Sequence, residues 1–145
     1  MSERVLFHIQ GMHILSGDKE ENADKIEVIN VAEYDLKNGV HYIRYEEIMD
    51  GTEGITKSMV KVKPGRVEVT KRGAVQNTMI FEVGKQNESM MLVPEGQIQI
   101  GVDTKSVDVT ETEDGFKIRI RYDMIMNYEP MASCDLTMRM ECTGK

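Results

Sequence analysis

Tryptophan is absent from this chain of 145 residues, and cysteine occurs only twice. No run approaches the roughly 20 apolar residues that a membrane-spanning helix needs. No long apolar stretch follows Met1-Ser2-Glu3-Arg4 as a secretory signal would require. Basic residues are outnumbered, with 18 Lys and Arg against 25 Asp and Glu for a formal net charge of −7. That balance argues against binding to nucleic acid or an anionic membrane by simple electrostatics. Helical periodicity is missing as well. The polar stretch Ser16–Asp24 reads as a loop, its charges solvating a connection.

Recognised chemistry is equally scarce. The chain contains no G-x-S-x-G elbow, phosphate-binding loop, dinucleotide fingerprint or C-x-x-C pair. His8, His13 and His41 lack metal-ligand spacing, and a regular strand would put His8 and His13 on opposite faces. A calcium loop counted from Asp18 fails, because Ala23 stands where Gly is needed and Ile29 where Glu is needed. The expectation is therefore a protein that is not an enzyme and carries no cofactor or metal.

What is present is alternation. Phe116, Ile118, Ile120, Tyr122, Met124 and Met126 share one parity, and Lys117, Arg119, Arg121 and Asp123 the other. After a turn at Asn127–Pro130, Cys134, Leu136, Met138, Met140 and Cys142 alternate with Asp135, Thr137, Arg139 and Glu141. A period of two belongs to strands, so these residues form a long antiparallel hairpin with one buried and one wet face. The two cysteines, eight residues apart on one strand, sit roughly 27 Å from each other and cannot pair. They read as small core residues of a reducing cytoplasm.

Similar patterns recur. Val5, Phe7 and Ile9 share a parity, as do His41, Ile43, Tyr45 and Met49. Val60 with Val62, Val67 with Val69, Met79 with Phe81 and Val83, and Met90 with Leu92 follow. Ile98, Ile100 and Val102 come next, extended by Val107 and Val109. Ile26–Tyr34 is mixed, with apolar residues on both parities. Asn38-Gly39, Asp50-Gly51 and Asp114-Gly115 are hairpin dipeptides, and Pro64-Gly65 suits a turn with Pro first. Gly73 and Gly84 end further strands. Serial hairpins of about eight to ten strands favour an antiparallel up-and-down β-barrel spanning residues 1–145 as one domain, because closure removes exposed edges. A membrane barrel is disfavoured by the missing signal and the lack of an aromatic girdle.

Two clusters merit weighing. Tyr45 and Glu47 share the parity of Ile43, so Glu47 places a carboxylate inside or at the rim of the barrel, with Arg72, Arg44 or an arginine near Arg119 as its countercharge. Lys117, Arg119, Arg121 and Arg139 form a basic row, balanced on the same face by Asp123, Asp135 and Glu141. The methionines of the last hairpin serve as core filling or as the lining of an apolar pocket.

The run His41–Lys57 with Tyr45-Glu46-Glu47 and Thr56-Lys57, then Lys71-Arg72-Gly73, Phe81, Gly84, Pro94, Gly96, Thr104 and Tyr122, resembles the YwiB-like family of bacterial calycin-like (lipocalin-like) β-barrel proteins. The resemblance covers roughly residues 28–143. Two segments depart from it: Val93-Pro94-Glu95-Gly96 replaces a Thr-Pro-aromatic-Gly segment, and Asn127-Tyr128-Glu129-Pro130 lacks the family's turn glycine. The resemblance implies a calycin-like barrel in the cytoplasm of a bacterium and supplies no catalytic residues. It leads to the expectation of a barrel for a small apolar or amphipathic ligand, with Tyr45 and Glu47 as polar contacts and Arg72, Phe81 and Tyr122 beside them. The alternative is a protein-interaction or RNA-associated module with a filled barrel. Either reading allows a monomer or a homodimer.

Overall fold

In the computed structural model the described residues are 3–15, 24–47 and 54–143. They form β1 (Glu3–Leu15), β2 (Asp24–Lys37), β3 (Val40–Glu47), β4 (Thr56–Lys63), β5 (Arg66–Arg72), β6 (Asn77–Glu82), β7 (Gln86–Val93), β8 (Gly96–Thr112), β9 (Gly115–Met126) and β10 (Glu129–Cys142). There is no helix among them. The loop at Ser16–Asp24 (apart from Asp24, which opens β2), the Asp50-Gly51 turn and Met49 lie outside the described residues.

Every ladder is antiparallel, and the strands follow chain order around one ten-stranded sheet in which β1 lies between β2 and β10. That arrangement leaves β6 and β7 as the sheet's two ends. They meet through one bridge, Gln76 with Leu92, bonded in both directions at 2.9 and 2.8 Å. Side-chain amides span the rest of this seam. Asn77 Nδ2 donates to Ser89 Oγ (3.0 Å) and the Met90 carbonyl (3.3 Å), and Asn87 Nδ2 donates to the Ile80 carbonyl (3.3 Å). The barrel is thus nearly closed, as expected of an up-and-down meander.

The interior follows the alternation. Val5, Phe7, Ile43, Val60, Val62, Val67, Phe81, Ile100, Val102, Ile118 and Ile120 are fully buried, with Phe116, Tyr122, Cys134, Met138 and Met140 beside them. Both cysteines are free. The parity switch between Val102 and Val107 has a structural cause: the ladder of β8 on β9 slips between Thr104 and Ser106, so one extra residue returns Val107 to the inner face. A second slip lies between Pro130 and Ala132.

Several expectations shift in detail. Met90 and Leu92 point outward, while Met91 packs on the core. Val83 lies in a turn and is exposed. Asn38 and Gly39 both take positive φ, as a hairpin dipeptide should. The second Asp-Gly pair acts differently. Its turn is Glu113-Asp114, and Gly115 already belongs to β9, where an added Cβ would drive into the Met140 carbonyl. Asn127 and Tyr128 form the last hairpin turn with φ of 51° and 69° and no glycine.

Candidate functional site

Polar side chains gather inside the barrel where β3 ends, β4 begins and β5 ends. Tyr45 stands opposite Ser58, and Ser58 opposite Lys71, so the three form one row across adjacent strands. Glu47, two residues beyond Tyr45 on the same face, pairs in register with Thr56. Its Oε1 accepts from Ser58 Oγ at 2.8 Å and from Lys71 Nζ. The Glu47 and Lys71 side chains are 24% and 21% exposed, so the pair sits at the rim, largely out of water. Below it the Tyr45 ring packs on Phe7 with centroids 5.4 Å apart. Burial, reinforced by the Glu47 charge, pushes the Tyr45 phenol well up, so it stays protonated and able to donate. Thr56 Oγ1 and Asn30 Nδ2 are buried without a hydrogen-bond partner among the described residues.

Of the residues expected at the site, Tyr45 and Glu47 stand together here. Phe81 and Tyr122 share the interior and meet edge to face at 4.8 Å. Burial raises the Tyr122 phenol, with the neighbouring Cys134 adding to the effect. Burial raises the Cys134 thiol too, which favours its protonated form. Arg72 does not join them. It follows Lys71 by one residue and therefore faces the outer wall, where it is exposed. Arg44 is also spoken for, paired with Asp35 on the outside. Lys71 is the countercharge that the sequence reading missed. Its signal was the parity it shares with Val67 and Val69.

At the opposite end of the barrel, the Tyr34 hydroxyl and His41 Nδ1 share a hydrogen bond at 2.6 Å, and His41 packs on Phe116 with centroids 4.5 Å apart. Burial pulls the His41 imidazole below its ordinary value, against a raising effect from Glu111. On the outer wall, the basic row is answered by carboxylates. Arg119 grips Asp135 with two bonds (3.1 and 2.7 Å), Arg121 approaches Asp135 at 3.9 Å, and Arg139 approaches Glu141 at 3.5 Å. No group of three or more His, Cys, Asp or Glu that could hold a metal occurs among the described residues. No helix among them is long and apolar enough to cross a membrane.

A sheet wound through serial hairpins around an apolar interior, with a polar patch at one rim, defines an antiparallel β-barrel of ten strands. The chain belongs to the family described as Domain of unknown function (DUF1934), whose model matches residues 8–138. It is 28% identical over 131 residues to the "Uncharacterized beta-barrel protein YwiB" of Bacillus subtilis (strain 168), covering 90% of this chain and 91% of the relative. The crystal structure of the ywiB protein from Bacillus subtilis superposes with a TM-score of 0.85 at 25% identity, covering 99% of this chain and 94% of the other.

Proposed function

We propose that the protein is a non-catalytic binding barrel that takes a small amphipathic ligand at the rim formed by Tyr45, Glu47, Ser58 and Lys71. One observation carries this reading: an ion pair at the rim of a largely apolar interior, beside a buried Thr56 hydroxyl that no described residue satisfies. A barrel fills its interior most stably with apolar side chains, and desolvating two charges costs free energy that their attraction only partly returns. A ligand head group bearing both a donor and an acceptor would use Lys71, Glu47 and the Tyr45 hydroxyl. Its apolar body would lie against methionines such as Met91 and Met124, which adapt to irregular shapes. The two free thiols support a cytoplasmic setting. The outer basic row lends less to an RNA-associated reading, because Asp135 and Glu141 already engage its arginines.

The test is native mass spectrometry of protein purified from its own host. A co-purifying small molecule is expected on the wild type and not on Lys71→Met. Bare wild-type protein, or an adduct retained at full occupancy by the variant, would overturn the proposal.

A further inference from the structure

The wall of the barrel forks at β2. Glu33 to Lys37 pair with β3, but Tyr45, Glu46 and Glu47 do not carry that ladder on to Ala32, Val31 and Asn30. From Lys25 to Ala32, β2 is paired through β1 alone among the described residues. Both faces of this stretch are apolar and open: Ile26 is 51% exposed, Val28 42%, Ile29 59% and Val31 61%. An edge strand of this kind is a template for strand addition, and native proteins blunt such edges or cover them.

The geometry points to a second copy of this chain as the cover, its β2 laid antiparallel on the first across a two-fold axis at Ile29. A strand adding here has to be apolar on both faces. β2 itself has that pattern, whereas β4 and β9 alternate strictly along their buried lengths. Pairing identical strands about a two-fold also covers both edges at once. Two-fold symmetry keeps each face on its own side, so residues placed opposite one another differ by an even number. An axis at Glu27 would oppose two carboxylates, and an axis at Val28 would leave the two Glu27 side chains diagonal to each other.

With the axis at Ile29, Ile29 meets Ile29, Val28 meets Asn30, and Glu27 meets the partner's Val31. Charge supports this choice. Val31 borders a groove of about 620 Å³ at this fork, lined by Arg4, Arg44, Lys57 and Arg72, with Glu33 and Glu46 as its carboxylates, and reaching inward to Tyr45 and Ser58 of the rim. The partner's Glu27 enters that groove, where cations are in excess. In the single chain Glu27 is held at the outer surface by Gln10 of β1.

Sedimentation equilibrium of the full chain across the micromolar range is expected to show monomer and dimer in exchange. Ile29→Lys, at an exposed position, should give a folded monomer by circular dichroism. Glu27→Lys should weaken the dimer about tenfold, and adding Lys57→Glu should restore it. Ile29→Cys should cross-link to itself on oxidation, while Val109→Cys, exposed on another strand, should not. A wild type that stays monomeric throughout, a dimer that survives Ile29→Lys, or cross-linking no better than Val109→Cys would overturn the inference.

Discussion

Glu47 and Lys71 hold each other at the barrel rim, and the consequence of breaking that pair differs from the consequence of removing it. Glu47→Gln leaves an ammonium largely out of water without its counterion, so it should cost about 1–2 kcal/mol in denaturant unfolding. The double variant Glu47→Gln with Lys71→Met should recover most of that loss, since no charge remains to be desolvated. Tyr128 is the residue to change for a gain. It is 75% exposed and holds φ of 69° in a two-residue hairpin turn that favours glycine. Tyr128→Gly should raise stability by up to about 1 kcal/mol, read as a higher denaturant midpoint at unchanged slope. Asn127 needs no such relief, because asparagine tolerates this conformation and its side chain accepts from the Gln99 amide at 3.2 Å.

Among the elements, the seam between β6 and β7 depends on Asn77 and Asn87 where other strands have ladders. Asn77→Ala should cost about 1 kcal/mol. It should also speed hydrogen exchange at β6 and β7 amides ahead of β1, β9 and β10. Gly115 makes the contrasting case: Gly115→Ala pushes into the Met140 carbonyl and should cost about 2–3 kcal/mol. Elements such as β9 were legible in the sequence because burial on one face writes a period of two. The mixed pattern of Ile26–Tyr34 was legible only as an ambiguity, since a strand that leaves its wall exposes both faces. Val107 and Val109 read in sequence as a continuation of Ile98–Val102, although their change of parity marks the bulge between Thr104 and Ser106. The candidate site was half legible. Parity put Tyr45 and Glu47 on one face, with Glu47 inside the barrel or at its rim. Their partners depended on strand register, which no local pattern states, so the sequence reading offers Arg72 as a countercharge and passes over Lys71, one residue earlier.

For the molecule as a whole, acid should act in two windows. His41 has a folded pKa below its ordinary 6.5, so below that pH the unfolded chain takes up a proton that the folded chain refuses. Stability then falls as pH drops from about 6.5 towards the folded value, and His41→Gln should flatten that slope. Asp35 and Asp135 are held below the usual carboxylate range, chiefly by hydrogen bonds from Arg44 and Arg119. Their contribution is present above the unfolded pKa, near 4, and is lost as pH falls through the folded values. Thermal melts of wild type and His41→Gln between pH 3 and 8, roughly the range in which these groups titrate, would separate the two windows. The barrel's order in space adds a constraint in time. β1 sits between β2 and β10, with Val5 opposite Cys142. During synthesis β1 can pair with β2 at once, but its other edge stays bare until β10 leaves the ribosome. Folding therefore ends on its most distant contact, and the nascent chain passes through an open sheet whose first strand a chaperone could shield.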